Sequence, residues 1–430
     1  MPIDLSQAGS PCPYPPRAPR FLTWLGIWVM FTATGAAISI WTWPTGTPAR
    51  GALFWWRTLG FSNLAFLTLL GVLLMGYDMM WMRAHRWNAH VHKRMDALVR
   101  EAQRPLQVLG VSHSLPLPEQ AVLATALCTG KPLFGSRAPR TGLDFVIHNR
   151  FDEESLSEIP LEPASCDDVA DLEGETTAQP QTETVPTLVL KMVDALLPLA
   201  EYLHALSRYG PQYAPVVHVL ARPETAAGRV SLAKDALRRI GLAHLECEPG
   251  MADTPLMEAD SWLDRREWRP LLVMAAEWHD ANPPVNSTEG CVAVLLNPGC
   301  FKLPEPVSVA GLLHRPLVGD TDAMGDLLAN ALIWGDTNAQ AVNRVWLTGL
   351  GGEHDTALLA AFKAASLAHL GDKSAQRHPD RVIGGAAAIN PWLSIAAAIG
   401  SGEPGAHFIV DHAQAAVLHV FTTSHDKSEQ

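Results

Sequence analysis

Trp346-Leu-Thr-Gly-Leu-Gly-Gly-Glu-His-Asp-Thr356 holds a strand end, a turn and a helix start in one short run. Val345–Thr348 is apolar and β-prone, so it reads as a strand. Gly349, Gly351 and Gly352 then mark a tight turn, where a missing Cβ frees the backbone. A helix over Asp355–Leu370 follows. Strand, glycine turn and helix are the repeating step of a layered α/β fold. The same step recurs on both sides. Toward the N-terminus lie strand runs at Leu106–Val111, Asp144–Ile147, Pro215–Leu220, Ala243–Cys247, Leu271–Ala275 and Cys291–Leu296. Helical patterns at 118–128, 188–207, 229–240, 256–268 and 320–334 alternate with them. Toward the C-terminus, a helix over Asn390–Ile399 precedes strands at Ala406–Val410 and Ala415–Phe421. Pro391 sits in its first turn, where proline is tolerated.

Four of these pieces, in order, resemble the thiolase-like superfamily and its β-ketoacyl synthases. They are the strand ending in Ala275-Ala-Glu-Trp278, the run Thr288-Glu-Gly-Cys-Val-Ala-Val-Leu-Leu296, the quoted segment, and Gly384-Gly-Ala-Ala-Ala388 leading into Asn390-Pro-Trp-Leu-Ser-Ile-Ala-Ala-Ala-Ile399. The resemblance covers about Leu271 to Phe421. It implies a layered thiolase-like α/β body and pairing of two copies through a central strand, hence a homodimer. It also implies a cysteine nucleophile at a helix N-terminus, where the dipole favours thiolate. Two histidines, or a histidine and an asparagine, would handle the thioester. This chain departs from that set. Leu347 and Thr348 stand where a histidine is expected in the first glycine turn, and Val382 and Ile383 in the second. Cys247 lies in a strand and Cys291 begins one, a setting typical of buried, inert thiols. They are the weak candidates for a relocated nucleophile. His354 with Asp355 is either an acid–base pair or a helix cap beside an exposed imidazole. Gly349, Gly351 and Gly352 form either an anion-binding turn or a turn only. No metal-binding spacing and no complete cofactor fingerprint is present, so neither a metal nor a cofactor is expected.

The N-terminal residues read differently. Phe21 to Ala49 carries no charged side chain until Arg50, and Thr58 to Tyr77 is a second such run, ended by Asp78. About 20 apolar residues cross a hydrocarbon core. The spans are placed at 21–43 and 58–80, with tryptophans near their ends as an interface favours. Asp78 would cost about 2.5–3.5 kcal/mol at a bilayer centre, so its place at the end of the run suits the headgroups. Arg17 and Arg20 precede the first span, and Arg83, Arg86, Lys93, Arg94 and Arg100 follow the second. Only Arg50 and Arg57 lie between, so both termini are expected in the cytoplasm of a bacterial inner membrane.

The expected organisation is a tail (1–20), a transmembrane hairpin (21–81), a juxtamembrane helix with a first α/β unit (82–150), an acidic stretch (151–186) and the thiolase-like body (187–424). The acidic stretch has eleven Asp and Glu and no Lys or Arg. It reads as a linker or excursion, or else as an acidic strip for a partner. A formal charge of −12 argues against nucleic acid. Six scattered cysteines without CxxC spacing suit a reducing compartment.

With the catalytic set absent, the leading expectation is a non-catalytic, membrane-anchored cytoplasmic adaptor or scaffold, a pseudoenzyme that binds a protein partner. The order of units also resembles the type VI secretion lipase-adaptor family. That resemblance is carried by Leu106-Gln-Val-Leu-Gly-Val111, Phe145-Val-Ile147, Pro215-Val-Val-His-Val-Leu220 and Leu312-Leu-His-Arg-Pro316. It implies a toxin cargo recruited to a secreted spike. The alternatives are a thiolase-class acyltransferase or condensing enzyme using Cys291 or Cys247, and a structural subunit of an envelope complex.

Overall fold

The computed structural model describes residues 5–16, 20–117, 123–141, 144–153 and 185–422. The acidic stretch therefore lies almost wholly outside the described residues, as does the start of the helix expected at 118–128. The chain divides after Glu101 into two compact units.

In the first unit, α1 (Phe21–Trp41) is followed by a short α2 (Ala52–Trp55). One π-helical turn at Trp56–Gly60 leads into α3 (Phe61–Ala102), a 42-residue helix. α1 and α3 are long and apolar enough to cross a membrane. They meet through small and polar residues. Any side chain at Gly35 would collide with Ser62. Trp28 Nε1 donates to Asn63 Oδ1 at 2.6 Å, and Ser39 Oγ to the Arg57 carbonyl at 3.1 Å. The missing Cβ at Gly35 lets the two backbones approach closely. Leu22, Val29, Met30, Leu67 and Val72 point outward, each more than half exposed.

The second unit is built on one mixed sheet. Its strands are β1 (Leu106–Ser114), β2 (Gly135–Arg137), β3 (Val146–Asn149), β4 (Val216–Ala221), β5 (Cys247–Met251), β6 (Leu271–Glu277), β7 (Ser287–Thr288) and β8 (Gly290–Asn297), followed by β9 (Gly311–Leu313), β10 (Leu317–Val318), β11 (Val342–Thr348), β12 (Gln376–Arg377), β13 (Gly405–Asp411) and β14 (Gln414–Val420). From one edge the sheet runs β5-β4-β6-β8-β1, then β9-β14-β13-β11-β12, with β10 beside β14. β2, β3 and β7 form a separate small sheet. Ranked by their place in the chain, each half of the main sheet has the spatial order third-second-fourth-fifth-first. In each half the fifth strand, β8 or β14, runs antiparallel to both neighbours. The unit is therefore a duplication, joined where β1 pairs antiparallel with β9. Strand β1, placed by sequence in a separate first α/β unit, lies at that join.

The helices follow in the order α4 (Leu123–Thr129), α5 (Thr187–Leu196), α6 (Ala200–Tyr209), α7 (Ala226–Arg239), α8 (Met257–Asp264), α9 (Met324–Trp334), α10 (Asp355–Ala364), α11 (Pro379–Ile383) and α12 (Asn390–Gly400). Alternation along the strands decides what each covers. Val216, Leu220, Val273 and Ala275 face α8 and α12, which also pack against Trp346, Ile409 and Leu418 of the second half. Val217, Val219, Leu272 and Met274 face α5, α6 and α7. Strands covered on both faces read as unbroken apolar runs, which is why β6 and β8 were legible. α12 is buried from Asn390 to Ala398, as a helix apolar on every side must be.

Several bounds differ from the sequence reading, and three of the differences have a plain local cause. The helix expected over 188–207 breaks into α5 and α6 around a 3-10 turn at Leu197–Leu199, because Pro198 has no N–H to continue the ladder. The strand expected at 243–247 starts only at Cys247, since residues 243–246 form the turn after α7. The helix expected to Leu370 stops at Ala364, where Ser366 takes a positive φ of 62°.

Candidate functional site

A cleft of about 400 Å³ opens at the C-terminal ends of β4 and β6, where the two halves meet. Ligands of α/β sheets bind outside the carboxyl ends of strands, where neighbouring connections diverge. One wall comes from the first half: Arg222 and Arg229, then Glu277, Trp278 and His279. The other comes from the turn Ala387–Ile389 before α12 and from Asp411 and His412 between β13 and β14.

The second-half wall is the more constrained. β11 and β13 are parallel neighbours with Thr348 level with Asp411. Thr348 Oγ1 donates to Asp411 Oδ1 at 2.7 Å, and the His412 N–H donates to the Thr348 carbonyl at 3.0 Å. Gly349 follows at φ 70°, and a Cβ there would collide with the His412 ring. Its N–H donates to Asp380 Oδ2 at 3.0 Å. Asp411 is 3% exposed. Burial pushes its carboxyl up to about 6; the Thr348 hydrogen bond and nearby His412 pull the other way, and Asp380 adds to the rise. Asp380 is likewise raised by burial, against its bond from Gly349. Two carboxyls, an imidazole and a hydroxyl thus converge beside the glycine turn.

The first-half wall hangs on Glu289, whose side chain is fully buried. Both its oxygens take the Arg140 guanidinium, one of them at 2.9 Å. They also accept the N–H of Phe151 at 2.9 Å and of His279 at 3.0 Å. Arg140 lies 3.6 Å from the centre of the Trp278 ring. One carboxylate therefore fixes the direction in which β6 delivers Trp278 and His279 to the cleft. Burial lowers the His279 pKa, opposed by Glu277, whose oxygen is 3.7 Å away. Arg222 and Arg229 have no ion-pair partner among the described residues.

The residues singled out by sequence fall elsewhere, with one exception. Gly349 belongs to the wall just described, but the anion at its N–H is the chain's own Asp380. Gly351 and Gly352 lead into a 3-10 turn, and neither lines the cleft. His354 is exposed beside Glu353. Asp355 does not cap α10; it turns to Arg381, with bonds of 2.6 and 3.2 Å. His354 and Asp355 thus have different partners and form no pair. Cys247 is half-buried with its thiol raised by burial. Cys291 is fully buried and pushed up to about 12 by burial. Neither thiol lines the cleft, and neither has the lowered pKa that activates a cysteine. Asp411, His412, His279 and Glu289 were missed as site residues. The available signal was an Asp-His pair between two apolar runs, and a lone Glu ahead of a strand with no charge in it.

No protein-family model matches the chain, and no curated protein is similar to it in sequence. Solved structures do match. The ketosynthase from module 6 of the bacillaene synthase of Bacillus subtilis 168 aligns with a TM-score of 0.52 at 9% identity, covering 74% of this chain and 71% of that one. The oxazolomycin ketosynthase domain OzmH KS8 of Streptomyces albus JA3453 aligns at 0.47 and 14%, covering 74% and 96%. The peroxisomal 3-ketoacyl-CoA thiolase of Saccharomyces cerevisiae aligns at 0.44 and 8%, covering 74% and 98%. The body has a ketosynthase-like fold.

This corrects the expectation of a protein that is not an enzyme. That expectation rested on a missing cysteine and histidines; the body shares its fold with a ketosynthase, and no loss of catalysis is shown. The secretion-adaptor resemblance has no support among these matches.

Proposed function

We propose that the chain is an acyl-thioester enzyme of the thiolase class, held at a membrane by its first unit. The observation that carries this reading is that Asp411 and His412, backed by Thr348, line a cleft between the two halves of a ketosynthase-like fold. With its carboxyl near 6, Asp411 is ionised at neutral pH yet more basic than an ordinary carboxylate, which suits a general base. It takes the proton from the attacking group of an acceptor H–X as the X–C bond forms. The C–S bond breaks, and the proton passes through His412 to the leaving sulfur. Acyl–SR and H–X become acyl–X and HSR, with no acyl-cysteine. Arg222 and Arg229 offer unpaired cations to an anionic part of the carrier.

The test offers detergent-solubilised full-length protein a panel of acyl-CoA and acyl-carrier thioesters with amine and alcohol acceptors, and follows free thiol. Turnover is expected, lost in Asp411→Asn and kept in Cys247→Ser and Cys291→Ser. No thiol release from any thioester refutes the reading. Loss in Cys291→Ser with an unchanged fold would return the chemistry to a relocated cysteine.

The same proposal places α1 and the first half of α3 across a bacterial inner membrane, with the second unit in the cytoplasm. The outward apolar side chains of α1 and the basic residues flanking the spans support it. A homodimer belongs to this reading, and light scattering in detergent showing a monomer would remove it.

A further inference from the structure

Beyond the end of its apolar run, α3 carries a groove that the proposed acyl chemistry does not use. Residues 5–14 lie back along the helix. Trp87 Nε1 donates to the Ser10 carbonyl at 3.0 Å. Asn88 holds Cys12 at both ends, accepting its N–H at 2.7 Å and donating to its carbonyl at 3.0 Å. Tyr14 packs against Trp81 with ring centres 5.9 Å apart and the planes tilted by 36°. Between this strap and the helix runs a groove of about 750 Å³ lined by Met79, Met82, Arg83, Arg86, Trp87 and Cys12, with His90 at its far end.

Met79, Arg83, Arg86 and His90 are spaced by four, three and four residues, so they share one helix face. Phe61–Met80 is about 30 Å of helix at ~1.5 Å per residue, the thickness of a hydrocarbon core. Trp81 then falls at the interface. Arg83 and Arg86 follow within the next two turns, level with the phosphates. Neither has an ion-pair partner among the described residues. Met79 and Met82 are 62% and 48% exposed, an apolar wall on the membrane side of the two arginines, and Trp87, 49% exposed, closes the groove beyond them.

We propose that this groove is a site for one anionic phospholipid. Arg83 and Arg86 take its phosphate, Met79 and Met82 take the glycerol and the upper acyl chain, and Trp87 borders the headgroup. The proposal rests on the membrane reading above. Charge complementarity at phosphate depth selects the occupant, since a free phosphate would leave the apolar wall bare.

The experiment reconstitutes the full-length protein in nanodiscs of equal phosphatidylcholine and phosphatidylglycerol, releases it into mild detergent, and identifies retained lipid by native mass spectrometry. One phosphatidylglycerol per chain is expected to persist, undisplaced by millimolar inorganic phosphate. Retention should fall roughly fivefold for each arginine removed in Arg83→Gln and Arg86→Gln. The control Arg94→Gln/Arg100→Gln should retain lipid as wild type does. Equal retention of both lipids, unchanged retention in Arg83→Gln/Arg86→Gln, or displacement by phosphate overturns the proposal. Carbonate extraction separates the two failures. Release of the protein from membranes at alkaline pH sinks the membrane reading as well, whereas resistance to extraction without lipid preference sinks this site alone.

Discussion

Replacing Glu289 by Gln changes one atom in the wall of the cleft and should unfold much of its support. The carboxylate is fully buried and accepts four N–H groups: two from Arg140 and the backbone donors of Phe151 and His279. Arg140 is itself only 7% exposed, and its other acidic neighbour, Glu153, is 3.4 Å away and two-thirds exposed. Breaking a buried pair by neutralising one partner costs about 3–5 kcal/mol, because the other charge stays buried. The amide also turns one acceptor into a donor facing donors, and each buried N–H left unmet costs about 1–3 kcal/mol. The low ends together give roughly 4 kcal/mol, a large share of the ~5–15 kcal/mol by which domains are stable. The assay is urea unfolding of the detergent-solubilised protein, followed by tryptophan fluorescence. The Arg140→Met single and the double variant complete a cycle. A coupling of at least about 1.5 kcal/mol is expected for charges in contact. A Glu289→Gln protein within about 1 kcal/mol of wild type would refute the view that this carboxylate holds the wall, since an ordinary surface change costs no more.

Two further outcomes follow from the site. Gly349→Ala should cost about 1–2 kcal/mol from its left-handed φ alone. It should also displace the His412 ring, so thioester turnover falls further than unfolding midpoints do; full activity in this variant would exclude His412 from the reaction. The pH dependence has a definite sign. His314, His378 and His407 are each lowered to about 4 by burial, so the unfolded chain takes up their protons first as pH drops from 6.5. Stability is expected to fall over pH 6.5 to 4. Asp411, raised to about 6, acts the other way, because the folded state holds its proton more tightly over pH 6 to 4. Unfolding curves across that range should therefore steepen in Asp411→Asn, while wild-type turnover rises through about pH 6. An unchanged slope in the variant would mean that Asp411 titrates as an ordinary carboxylate.

The order of strands and helices was legible because burial writes itself into local pattern. β6 and β8 are nearly unbroken apolar runs, and β13 and β14 are broken only by His407 and His419, since both faces of each are covered. α12 is apolar on every side, since it lies between the halves. The two candidate spans are plain from length and apolar composition alone. Boundaries failed where one residue broke a pattern, as Pro198 does between α5 and α6. The site was far less legible. The sequence drew attention to His354 and Asp355, adjacent in the chain, yet Asp355 pairs with Arg381, twenty-six residues away. It drew attention to cysteines by analogy, and burial pushes the Cys291 thiol up to about 12.

Sequence by itself determined the alternation of elements, the apolar segments and the absence of an expected cysteine and histidine set at the glycine turns. Only the tertiary structure decided that β1 and β9 join two copies of one strand order. It also decided that Thr348, Asp380, Asp411 and His412 meet, and that Glu289 holds Arg140 from across the chain. The physical reason is one of range. Periodicity and turn chemistry act over a few residues and can be read locally. A buried carboxyl's basicity depends on desolvation and on partners delivered by other strands, and neither exists until the sheet has closed around it.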